Sequence, residues 1–229
     1  KAVANILSSD GVWVLEMSYL PEMLKTRSYD TICHEHLEYY DLKQIRSILA
    51  QANLFIYEYS FNSSNGGSFR VCAGKRMDQS CSSLDDFIAT EQAELQKLLT
   101  EFPAVVNTHR DELVSLLNSM HSAKKSVYIY GASTKGNVLL QYCGLGPRLI
   151  QKVAEVNTDK FGHVTPSTKI PIEDEVSVRA ENPDYFLVLP WHFREGILKK
   201  EKTYLSKGGK FIFPLPKVEI VDKNGVVDM

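Results

Sequence analysis

The sequence predicts an α/β protein built as two lobes, each around its own sheet. Three observations lead there. Short β-branched and aromatic runs alternate with segments of helical period, a glycine-flanked turn joins a strand to a helix near residue 131, and a long helical stretch separates the two halves. With 229 residues, each half has room for its own core.

Residues 2–7 read as the end of a helix, broken by Ser8, Ser9, Asp10 and Gly11. Residues 12–17 follow as an apolar strand expected to be buried on both faces, and so to lie in a parallel sheet. Asp41 begins a helix with Leu42, Ile45, Ile48 and Leu49 at helical spacing, and Gln44 completes a capping box. Residues 54–61 and 68–73 are expected strands around a loop at 62–67. From 83 to 121 the pattern is helical, and Pro103 is expected to divide it into two helices. A second α/β series then begins with strand 127–130, the turn 131–137 and a helix. Strands follow at 152–156, 185–189 and 210–213, predicting a doubly wound parallel sheet.

A formal charge of -2 and a pI near 6.3 give no footprint for nucleic acid or an anionic membrane surface. Cys33, Cys72, Cys81 and Cys143 form no C-x-x-C pair, so neither a zinc knuckle nor a disulfide framework is expected, and the expected location is cytoplasmic. The apolar runs are too short to cross a bilayer, and the first residues do not resemble a signal peptide.

The densest chemistry lies in residues 29–40, where Cys33, His34, Glu35 and His36 stand among carboxylates and phenols. His36 with Glu35 supplies a base and a charged partner. A metal-ligating His34-x-His36 pair and a polar structural loop are the other readings. The 131–137 turn places Ser133 where a dinucleotide fingerprint has its middle glycine, and Lys135 adds a cation, favouring phosphate over nicotinamide. Glu155 ends the next strand, where an acid can hold a ribose. Trp191 and His192 follow another strand at the carboxyl edge. There they either meet a ligand, Trp191 by stacking and His192 by hydrogen bonding, or cover the sheet end. Gly66, Gly67, Ser68 and Arg70 make either a close approach to a ligand or a tight turn.

Taken together, the segments 30–36, 66–68, 131–137 and 190–193 resemble the S-adenosylmethionine-dependent sugar C-methyltransferases that act on nucleotide-linked deoxysugars. The likeness runs through nearly the whole chain in the family's order, and its most specific part is His34-Glu35-His36. It implies three parts: residues 1–76 as the second half of a class I methyltransferase sheet, 77–123 as a helical connector, and 124–229 as a C-terminal Rossmann-like domain. The family's zinc-binding domain and its glycine-rich cofactor turn are expected outside this sequence. No metal is therefore expected here, S-adenosylmethionine is expected to be held mostly by residues outside this chain, and the chain alone is expected to be inactive.

The resemblance also assigns roles. His36 is the base and Glu35 its partner, within a catalytic segment that includes Cys33 and His34. Cys33 stands where sugar-modifying members carry tyrosine, so Tyr39 or Tyr40 replaces that donor or the substrate differs. Tyr39, Tyr40, Asn65, Gly67, Ser68, Ser133, Thr134, Lys135, Asn137, Trp191 and His192 are the expected contacts to a nucleotide-diphosphate sugar. The competing reading is a non-catalytic module binding a nucleotide sugar or an NAD-type dinucleotide. Neither nucleic acid nor membrane is an expected partner, and oligomerisation is left open.

Overall fold

The computed structural model describes residues 1–227. Asp228 and Met229, which end the expected third part, lie outside the described residues. Contacts divide the chain into two compact units. One joins Lys1–Thr26 to His36–Pro103, and the other joins Arg27–Glu35 to the chain from Ala104 onward.

The first unit contains α1 (Ala2–Ile6), β1 (Val12–Ser18), α2 (Leu20–Lys25), α3 (Leu42–Ala50), β2 (Phe55–Asn62), β3 (Ser68–Gly74) and the start of α4 (Leu84–Ser122). Its three strands run in the order β1-β3-β2, and both pairings are antiparallel. The expectation of a parallel strand buried on both faces is therefore corrected for β1. Leu15 is buried and Trp13 and Met17 pack with it, while Val12 and Val14 on the other face are 50% and 56% exposed. A one-sided strand with valines outside reads in sequence like an apolar run, because the period of two is hidden when both faces carry β-branched residues. On the open face Arg70 pairs with Glu16, its directly opposite neighbour, at 2.8 Å.

Helix α3 forms as its sequence predicts. Asp41 Oδ1 accepts from the Gln44 backbone N–H at 2.8 Å, and the Gln44 side chain accepts from the Asp41 N–H at 2.7 Å. Such a cap contributes about 1 kcal/mol. Leu42, Ile45 and Leu49 enter a core with Leu15, Phe69, Val71 and Ile88, whereas Ile48 falls off that stripe and is 48% exposed.

Residues 84–122 form one helix rather than two. Pro103 removes one N–H from the ladder, but buried Ile88 and Leu95 before it and Val106, Leu113 and Leu117 after it carry helical packing across the gap.

The second unit holds a seven-stranded sheet. Its elements are β4 (Val127–Tyr130), α5 (Thr134–Tyr142), β5 (Val153–Glu155), β6 (Ile172–Asp174), α6 (Glu175–Ala180), β7 (Tyr185–Val188), α7 (Arg194–Lys200), α8 (Lys202–Ser206), β8 (Lys210–Phe213), β9 (Glu219–Asp222) and β10 (Gly225–Val227). The order is β10-β9-β8-β7-β4-β5-β6, parallel from β8 to β6 and antiparallel at β9 and β10. The expected parallel sheet is thus mostly parallel, with an antiparallel edge. Only residues 214–218 separate β8 from β9, too few for the crossover that a parallel pair needs. Ile129, Phe186, Leu187, Val188, Phe211 and Ile212 are wholly buried, as strands covered on both faces require. Successive strands leave β4 in one direction through β5 and β6 and return on its other side through β7 and β8. The chain therefore switches direction between the carboxyl ends of β4 and β7.

Candidate functional site at the sheet switch point

Helix α5 begins directly beyond β4, and Ser133 caps it by accepting from the Gly136 N–H at 3.0 Å. Its first turn lies against the end of β7. A Cβ on Gly136 would stand 2.5 Å from Leu189 Cδ1, so only glycine admits this approach. Lys135, half-buried in that first turn, makes no ion pair among the described residues. A cation beside the free N–H groups of a helix start attracts anions. Asn137 sits half-buried in the same helix.

Two groups face the field of Lys135. Asp30, on a short 3-10 turn (Tyr29–Thr31), is 1% exposed, and its Oδ2 accepts from the Trp191 indole N–H at 2.9 Å. Its Oδ1 has no partner among the described residues. Burial pushes the Asp30 carboxyl up, while the Trp191 hydrogen bond and the Lys135 charge pull it back. Burial lowers the His192 imidazole, and Lys135 lowers it further, so the ring stays neutral and offers one donor and one acceptor. Trp191 is only 7% exposed, so it covers the sheet end, with His192 meeting it edge-on at 5.7 Å between ring centres.

The segment carrying Asp30 is pinned next door as well. The Tyr29 hydroxyl lies 3.1 Å from His109 Nδ1, and His109 Nε2 lies 2.5 Å from the Pro214 carbonyl oxygen. A carbonyl only accepts, so Nε2 carries the proton, Tyr29 donates to Nδ1, and the Cys143 thiol at 3.3 Å donates to Tyr29. Burial holds the His109 imidazole below its ordinary value and pushes the Cys143 thiol up. Further along, Thr134 Oγ1 donates to Glu35 Oε1 at 3.4 Å, and His34 Nε2 stands 3.9 Å from the same oxygen. Glu35 thus lies at the amino end of α5, where the helix dipole favours a carboxylate. Cys33 is half-buried, its N–H bonded to the Thr31 carbonyl at 2.9 Å.

The remaining sequence candidates lie in the first unit. His36, Tyr39 and Tyr40 are half-buried, and the Leu20 N–H donates to the Tyr40 carbonyl at 2.9 Å. Tyr39 and Tyr40 line an open groove of about 850 Å³ with Leu20, Leu37, Glu38 and Lys43. Asn65 is exposed with φ 54°. Gly67 has φ 130°, its carbonyl accepts from the Tyr19 N–H at 3.1 Å, and a Cβ there would lie 2.2 Å from Glu22 Cγ. The Ser68 hydroxyl donates to the Ser64 carbonyl at 2.9 Å. Gly67 and Ser68 therefore build a tight turn.

The ribose role considered for Glu155 is corrected. Its carboxylate accepts from the N–H groups of Ala132 at 2.9 Å, Val156 at 2.8 Å and Asn157 at 3.0 Å, and Lys160 reaches it at 3.3 Å. Burial works to raise it, yet these donors hold it below the ordinary glutamate range. The group is spent on shaping the turn. The sequence reading placed Tyr29 and Asp30 in the dense 29–40 segment without giving either a role, and it carried no signal for His109, 80 residues from its partner Tyr29. Among the described residues there is no cluster of three or more metal-ligating side chains, and no helix is long and apolar enough to cross a membrane.

Residues 63–216 match the family described as the C-methyltransferase C-terminal domain. C-methyltransferase NovU of Streptomyces niveus is 30% identical over 224 residues, covering 96% of this chain and 53% of that protein. The chain thus spans about half the length of that curated relative.

Proposed function

Because the chain belongs to the C-methyltransferase family through its C-terminal domain, we propose that it is the C-terminal part of an S-adenosylmethionine-dependent C-methyltransferase acting on a nucleotide-diphosphate keto-deoxysugar. The supporting observation is Lys135: a half-buried cation that makes no ion pair among the described residues, in the first turn of α5 at the carboxyl edge where the sheet switches direction. It suits the diphosphate, with Ser133 and Thr134 beside it. His192, neutral and adjacent, suits a hydroxyl of the ligand.

On the sugar, a proton next to the ketone is acidic, and His36 is the base assigned to remove it. The enolate left behind needs a hydrogen-bond donor near its oxygen, and Tyr39 or Tyr40 takes that role because a thiol at Cys33 donates weakly. Glu35, at the amino end of α5, is assigned to the sugar or to the base. S-adenosylmethionine would supply an electrophilic methyl group. The described residues do not fit it: the one strand-turn-helix with glycines carries Lys135, whose charge repels a sulfonium, so no step is assigned to this chain through the cofactor. The engagement of Glu155 weighs against the NAD-type alternative.

Titration with thymidine diphosphate and with NADH tests this reading. The chain should bind the former, and Lys135→Gln should weaken that binding roughly 10- to 150-fold, the equivalent of a charged hydrogen bond of about 1.5–3 kcal/mol. Binding of NADH alone would refute it. In the full-length protein, His36→Asn should abolish methyl transfer while leaving S-adenosylmethionine binding intact; surviving activity would remove His36 as the base.

A further inference from the structure

We propose that Asp30 is the positioning residue of the switch-point site, acting through Trp191. The proposal rests on the nucleotide-diphosphate reading above. Asp30 is 1% exposed, carries a carboxylate into a region with little water, and bonds the Trp191 indole N–H at 2.9 Å across 161 residues of sequence. A buried carboxylate is costly unless its charge is met, and here the Trp191 indole favours the charged form, helped by Lys135 and by the backbone N–H groups of Asp30 and Thr31. The bond fixes the plane of an indole that is itself 7% exposed and so is not a stacking surface. The indole meets the ring of His192 edge-on, at 88° and 5.7 Å between centres, and Phe193 flanks that imidazole at 4.3 Å. Asp30 thus reaches the ligand side of the site without touching ligand: it sets Trp191, and Trp191 sets His192 beside Lys135. Tyr29, bonded to His109, holds the turn that presents Asp30.

Trp13 and Trp191 are the two tryptophans of the chain, so a Trp13→Phe background makes Trp191 the sole indole reporter. In that background, Asp30→Ala should increase acrylamide quenching of Trp191 and weaken thymidine diphosphate binding at least about tenfold. Asp30→Asn, which keeps an acceptor for the indole, should retain the wild-type quenching and stay within about threefold in affinity. Trp191→Phe, tested by titration calorimetry, should reproduce the loss, and Asp30→Ala added to it should cost nothing further.

Effects that multiply instead would overturn the proposal, as would unchanged quenching in Asp30→Ala. If Asp30→Ala does not fold, Trp191→Phe decides, since an unchanged affinity there refutes the chain of positioning. A wild-type chain that fails to bind thymidine diphosphate would instead refute the functional reading, and the quenching comparison would still decide whether Asp30 anchors Trp191.

Discussion

Replacing His109 by leucine should destabilise the second unit by about 2–4 kcal/mol. The side chain is wholly buried and bridges Tyr29 to the Pro214 carbonyl. Leucine fills much of the volume, so the loss is chiefly polar. The carbonyl oxygen is left unpaired at about 1–3 kcal/mol, and Tyr29 falls back on Cys143 at about 1 kcal/mol. Urea unfolding followed by Trp191 emission in the Trp13→Phe background reads this unit, and the thermal midpoint should fall by about 5–15 °C. The pH dependence supplies a second readout. Burial holds the folded imidazole below its ordinary value of 6.5, so the unfolded chain takes up this proton first as pH falls. The histidine's contribution is therefore complete above about pH 6.5 and is lost as pH drops through the folded value. His109→Leu should remove that part of the slope. A variant within about 0.5 kcal/mol of wild type, or one with the same slope between pH 7 and 5, would refute the reasoning.

Gly67→Ala should cost the first unit about 2–4 kcal/mol, because it combines a φ of 130° with a Cβ 2.2 Å from Glu22 Cγ. Trp13 emission in a Trp191→Phe background would read it, and a neutral result would mean that the turn relaxes freely. Glu155→Gln should cost about 1–3 kcal/mol, since three backbone donors and Lys160 lose a charged acceptor. The folded Glu155 lies below its ordinary value, so its contribution is present above about pH 4.5 and lost as pH falls through the folded value. Acid titration of the variant should show a shallower decline.

Local chemistry was legible. The capping box of Asp41 and Gln44, the pairing of β2 with β3, and the β4-turn-α5 passage each depend on residues close in sequence, and each stands where the pattern put it. Burial was less so: Val12 and Val14 look like core residues yet lie on an open face. Length carried information that composition did not, since the five residues between β8 and β9 force an antiparallel edge. The continuation of α4 through Pro103 reflects packing on either side of the proline, which no helix-breaking rule contains. The places of Ser133 and Lys135 after β4, and of Trp191 and His192 after β7, were legible in the sequence. The Asp30–Trp191 bond was not, because 161 residues separate partners that no periodicity connects.

The second unit takes nine residues, Arg27–Glu35, from a stretch of sequence that otherwise builds the first. Its folding therefore cannot be assigned to one contiguous length of chain. A fragment starting at Ala104 would contain every strand of the large sheet and still leave the Trp191 indole and His109 Nδ1 without the groups that complete them. Any dissection of this protein for crystallisation or exchange between relatives thus has to carry two pieces of sequence for one structural unit. A graft that honours the apparent boundary in α4 would transplant the sheet while leaving behind its own lock.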